Sequence, residues 1–215
     1  MAKKFIAEFI GTFFLVLAIG LCTLNVPLEM RLWAPIGIGG TLLAMIFSMG
    51  HISKAHYNPA VTVAFWLRGY LPHREVPLYF LAEFGGGLLA AFTCILLKGA
   101  NQVFMIDLPP SNLWTMRVLL AEFLFTFALA WVIMNVATAK TLVGNQHYGL
   151  AIVGIVVGGA YSVGSISGAI FNPAVAVSMC LMHLGSWQYL WVYLFANFAG
   201  GAAAGLSYKV IYPHD

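Results

Sequence analysis

Two tripeptides, Asn58-Pro59-Ala60 and Asn172-Pro173-Ala174, put amide side chains at the heads of two short apolar runs. Asparagine suits the N-cap of a helix, and proline the first helical position, where its missing N–H would be unpaired anyway. Each amide then sits at the positive end of a helix dipole and offers donors to a polar molecule, with no carboxylate near it in the sequence. Such a group orients a guest without transforming it. The six histidines, at 51, 56, 73, 147, 183 and 214, show no metal-ligand spacing. There is no nucleophile elbow and no glycine-rich loop with a phosphate-binding lysine, so no catalytic residue, metal or cofactor is expected.

The elements that must position these amides are themselves duplicated. The tripeptides lie 172 − 58 = 114 residues apart, and Glu8-Phe9 returns as Glu122-Phe123 at the same offset, 122 − 8 = 114. Thr12 returns as Thr126, Ile52-Ser53 as Ile166-Ser167, and Phe84-Gly85-Gly86-Gly87 as Phe198-Ala199-Gly200-Gly201. The runs from Val61 to Leu67 and from Val175 to His183 are too short to span a bilayer. About ten helical residues reach only ~15 Å, half of a ~30 Å hydrocarbon core. Two such halves, end to end, would cross it.

A membrane is the setting that the composition demands. Charged residues are 8% of the chain, hydrophobic ones 61%, and mean hydropathy is +0.90. A soluble domain carries ~25% charge. The net charge of +3 is small and points to topology rather than to nucleic acid. Cys22, Cys94 and Cys180 lie in apolar runs and read as free thiols. Lys3-Lys4 before the run Phe5 to Leu24 has the look of a signal peptide, but the run is about 20 residues long and forms one copy of the repeat, so it reads as the first span. Further spans are expected at Trp33 to His51, Leu78 to Leu97, Arg117 to Val136, Tyr148 to Ser165 and Trp187 to Ile211.

The expected fold is therefore an all-α membrane protein with six transmembrane helices and two re-entrant half-helices. It forms a single domain, 1–215, of two repeats, about 1–112 and 113–215. Three spans per copy is an odd number, so the copies should be inverted about an axis in the membrane plane, with the half-helices meeting at mid-bilayer. With the N-terminus cytoplasmic, Lys3, Lys4, Lys54, Arg68, Arg74, Lys140 and Lys209 fall inside, and Arg31, Lys98 and Arg117 outside. That bias favours both termini on the cytoplasmic side of a cell membrane. The intervening loops are expected to be short. Breaks at 53–57 and 167–171 should expose carbonyls only to protein or to a wet path. A water held at the centre would turn its oxygen toward Asn58 and Asn172 and interrupt a proton wire.

Four segments, AEFIGTFF at 7–14, SKAHYNPAVTVA at 53–64, AEFLFTFA at 121–128 and SGAIFNPAVAVS at 167–178, closely resemble the signature segments of the aquaporins and related major intrinsic proteins, in their signature order. The resemblance covers essentially the whole chain. It implies a homotetramer with one pore per subunit, embedded in a lipid bilayer and passing small neutral permeants. It also implies that Glu8 and Glu122 accept backbone hydrogen bonds from the re-entrant loops. Glu83, with Asn197 as its repeat counterpart, is left open between packing and subunit contact. His56 matches a histidine beside the cytoplasmic half of the pore, in either a lining or a packing role, and Tyr57 and Phe171 belong to the same wall.

The chain departs from that family at its filter. Carried over, the four constriction positions fall on Ile38, Ala160, Ala169 and Val175, all apolar, where most relatives have an arginine at the position of Val175. The expectation is a wide, donor-poor pore. Asp is absent after the second tripeptide, where Ala176 and Val177 follow, and Trp191 is closer to the water-channel branch, which argues against a dedicated glycerol facilitator. Lys54 stands where relatives have glycine, either as a cation in the inner vestibule or with its stem snorkelling to the interface. An ion- or proton-coupled secondary transporter and a structural membrane protein with a closed pore are the rival readings.

Overall fold

The computed structural model describes residues 1–99 and 111–214. Among them the long helices are α1 (Ala2–Thr23), α3 (Ala34–Ser53), α5 (Val76–Lys98), α6 (Asn112–Thr138), α7 (Tyr148–Ser167) and α9 (Leu190–Ile211). Six helical spans are long and apolar enough to cross a membrane. Between them lie the short helices α2 (Leu28–Arg31), α4 (Pro59–Arg68) and α8 (Pro173–Leu181). The fold is the all-α membrane architecture of six spans and two half-helices.

Boundaries differ where capping outweighs hydropathy. Helix α6 starts five residues ahead of Arg117, because the Ser111 hydroxyl caps it by accepting the Trp114 N–H at 3.2 Å. Helix α8 stops at Leu181 rather than His183, which adopts a left-handed φ of 58° while the Leu184 N–H returns to the Met179 carbonyl. The four-residue helix α2 was not expected from the sequence. Most of the loop expected between Lys98 and Met116 lies outside the described residues.

The packing repeats in the two halves. A Cβ added to Gly86 would lie 2.3 Å from the Phe9 carbonyl oxygen, and one added to Gly200 would lie 2.6 Å from that of Phe123. These counterpart glycines let α5 cross α1, and α9 cross α6, at backbone contact. Outward faces carry Leu81, Leu96, Phe195 and Val210, all exposed, as a lipid-facing surface requires. Glu8, Glu83, Glu122 and Asn197 are fully buried instead. A buried carboxylate in such a place must be satisfied by hydrogen bonds.

Candidate functional site

The two half-helices start as their sequences require. Asn58, at φ −159° and ψ 115°, caps α4 by accepting the Ala60 N–H at 2.9 Å. Asn172, at φ −153° and ψ 116°, caps α8 by accepting from Ala174 at 3.0 Å and Val175 at 3.4 Å. Pro59 and Pro173 take the first helical positions. The two caps are also cross-linked: Asn58 Nδ2 donates to the Phe171 carbonyl and Asn172 Nδ2 to the Tyr57 carbonyl, each at 2.8 Å. The N-termini of the half-helices therefore meet face to face. An amide nitrogen carries two donors, so each asparagine spends one on the opposite loop and keeps one.

Each loop is held from behind by a buried carboxylate. Glu8 accepts the N–H groups of His56 at 3.0 Å and Tyr57 at 2.6 Å. Glu122 accepts those of Ile170 at 3.0 Å and Phe171 at 2.7 Å, together with the Ser167 hydroxyl at 2.6 Å. Amides turned toward a carboxylate leave their carbonyls facing the other way. This geometry is strained: Lys54, Ala55 and Tyr57 have φ values of 75°, 52° and 49°, and Gly168, Ala169 and Phe171 have 83°, 54° and 51°. Left-handed conformations at non-glycine residues persist only where hydrogen bonds over-determine them.

The next donor in each loop is the asparagine's own N–H. Asn58 N–H is accepted by Glu83 Oε1 at 3.2 Å, which also accepts the Thr62 hydroxyl at 2.6 Å. On the other side Asn197, oriented by its surroundings, accepts the Asn172 N–H at 2.9 Å and donates to Thr126 Oγ1 and Glu122 Oε2, both at 3.0 Å. Glu83 and Asn197 thus hold equivalent places.

One cavity of about 270 Å³ opens onto the junction, lined by both asparagines. Ile38, Ala160, Ala169 and Val175 all line it, from α3, α7, the second loop and α8. Its polar side is the two loops and their amides. Its other walls are aliphatic stripes at helical spacing, such as Ile38, Leu42 and Ile46 on α3 and Ile152, Val156 and Ala160 on α7. Arg31, which in the sequence stands out only as an outside positive charge, also borders it.

The aromatic loop residues contribute backbone more than rings. The Tyr57 ring fills the space left by Gly11, and its hydroxyl donates to the Met45 carbonyl at 2.9 Å. The Phe171 ring stacks on Phe125, with centroids 5.4 Å apart. His56 borders the cavity, yet its ring is buried against Phe65 and Tyr79 and its Nδ1 lies 2.9 Å from the Thr62 hydroxyl. Lys54 lies elsewhere. It borders a second cavity of about 310 Å³, with His51, Tyr70, Tyr148 and the segment joining α6 to α7. Among the described residues no group of three or more His, Cys, Asp or Glu could hold a metal ion.

Six membrane-crossing helices around half-helices that meet cap to cap define a channel rather than an enzyme. The chain belongs to the major intrinsic protein family, whose model matches residues 1–208. It is 36% identical over 217 residues to putative aquaporin NIP4-1 of Arabidopsis thaliana, covering 98% of this chain and 75% of that one. Aquaporin NIP1-1 of Oryza sativa subsp. japonica is 36% identical, covering 97% and 74%, and nodulin-26 of Glycine max 34%, covering 97% and 78%. Among solved structures, the aquaglyceroporin from Plasmodium falciparum matches with a TM-score of 0.77 over 99% of this chain and 97% of that one. At 22% identity this likeness speaks for the fold alone.

Proposed function

We propose that the chain is a passive channel for water, small uncharged solutes or both, whose path runs past Asn58 and Asn172 and through an apolar constriction at Ile38, Ala160, Ala169 and Val175. The observation that carries this reading is the single cavity on which the asparagine amides and these four apolar side chains converge. A permeant meets fixed donors at the two asparagines, aliphatic walls along α3 and α7, and Arg31 beside Ala34 and Pro35. Solutes that shed water cheaply are favoured: ammonia, hydrogen peroxide, urea, a small polyol or a metalloid hydroxide. Ions meet two helix N-termini and little to replace their hydration.

The same reading takes the chain as one domain of two inverted repeats, about 1–112 and 113–215. It sits in a cell membrane with both termini cytoplasmic, as a homotetramer with one pore per subunit. Passive flux is favoured over coupled transport because Glu8, Glu83 and Glu122 are fully buried, accept from donors of the loops and half-helices, and are not among the residues lining the cavity. The test is stopped-flow light scattering of reconstituted vesicles against a panel of neutral osmolytes. Fast, gradient-driven and nonsaturating flux is expected, and V175R should narrow the permeant range while leaving the smallest solutes. Saturating flux, or a panel unchanged in V175R, contradicts the proposal.

A further inference from the structure

We infer that Arg31, in the short helix before α3, is a specificity-determining residue: a fixed cation at the mouth of the Asn58–Asn172 cavity that excludes cations in a pore whose constriction carries no charge. The inference rests on the channel reading above. Three observations carry it. First, among the described residues Arg31 is the one lysine, arginine, aspartate or glutamate lining that cavity. It borders it beside Ala34 and Pro35, in the first turn of the helix that carries Ile38.

Second, the guanidinium is held, and among the described residues nothing neutralises it. Its Nε donates to the Val26 carbonyl at 2.8 Å, and among the described residues its Nη atoms have no acceptor and no carboxylate lies within ion-pair distance. Third, the loop that carries it is fastened across the mouth. Tyr161, adjacent to Ala160, donates its hydroxyl to the Leu32 carbonyl at 3.0 Å, and Asn25 Nδ2 donates to the Lys98 carbonyl at 2.6 Å. The Lys98 ammonium in turn caps the end of α1 through the Leu21 and Leu24 carbonyls.

The physical consequence follows from walls of low dielectric, which focus the field of a mouth charge along the pore. A cation must pass the guanidinium before it reaches Val175, whereas a neutral solute is indifferent to it.

Vesicles holding wild type, R31K, R31Q or R31E test this, with two readouts from each preparation. One is the flux of the neutral solute that wild type passes fastest, water included, and the other is potassium flux down a gradient. Neutral flux should stay within about twofold of wild type in all variants. Potassium flux should stay at the empty-vesicle level in wild type and R31K, rise in R31Q, and rise further, by about tenfold, in R31E. Intact neutral flux with potassium flux at background in R31E overturns the role of Arg31. So does loss of neutral flux in both R31Q and R31E, which would make Arg31 a prop for the loop. Absence of neutral flux through wild type instead contradicts the channel reading itself.

Discussion

The two re-entrant loops share one backbone and differ in the side chains that stabilise it. Residues 54, 55 and 57 match residues 168, 169 and 171 within about 10° in φ, and each loop has a carboxylate behind it. Yet the first loop hangs on two carboxylates, Glu8 and Glu83, and carries a lysine at the left-handed position. The second uses Glu122 and the neutral Asn197, and has Gly168 at that position. Backbone direction is therefore what the fold fixes, and charge count is free to vary. The second loop, which borders Val175, has the better satisfied acceptors: one oxygen of Glu83 has no partner among the described residues, whereas both oxygens of Glu122 accept.

The largest way to break this comparison is to remove the carboxylates. E122L strands four buried donors, the Asn197 amide included, and E8L strands two backbone N–H groups, at about 1.5–3 kcal/mol for each charge-assisted bond. Melting of the detergent-solubilised protein should fall for both, more for E122L; an equal or reversed order would say that the loops are not held this way. Glycine substitution comes next. A Cβ at Gly201 would lie 2.2 Å from the Ala60 carbonyl oxygen, which is backbone of a half-helix, whereas at counterpart Gly87 the nearest atom is the movable Ser178 hydroxyl at 2.7 Å. G201A should cost about 1–3 kcal/mol and G87A distinctly less, read by the same melts.

Smaller effects sharpen the comparison. Lys54 adopts a conformation that suits glycine, so K54G should stabilise by up to about 1 kcal/mol and G168K destabilise by a similar amount. A loss of stability in K54G would mean that the lysine stem contributes more than its backbone strain costs. E83Q should be tolerated within about 1 kcal/mol, because Asn197 shows that an amide oxygen can hold the equivalent N–H. A melting loss as large as that of E8L would mean that the Glu83 charge is needed.

Much of the fold was legible because its punctuation is chemical. Asn-Pro marks a helix start whatever the surroundings, run length separates half-spans from spans, and the 114-residue offset pairs Glu8 with Glu122 and Asn58 with Asn172. Beyond the four constriction positions, the inner faces were not legible. Leu42 and Ile46 line the cavity and Leu81 and Leu96 face outward, yet hydropathy cannot tell these stripes apart when helices are apolar all round. The position of Arg31 was hidden for a different reason. It depends on α2, a single turn too short for hydropathy to mark, whose following residue Leu32 is tied to α7 by the Tyr161 hydroxyl. Likewise the burial of the His56 ring follows from Phe65 and Tyr79 closing around it, which spacing alone does not show.

The most direct test of the proposed path is a removable plug at its constriction. Val175 is 3% exposed and lines the cavity, while the native thiols Cys94 and Cys180 are buried and Cys22, half-buried, is controlled by the parent protein. In V175C vesicles, a membrane-impermeant mercurial should abolish neutral solute flux, and excess reduced thiol should restore it, with the parent protein unaffected. Flux through V175C that persists while mass spectrometry shows the new thiol fully mercurated would place the path elsewhere and contradict the account.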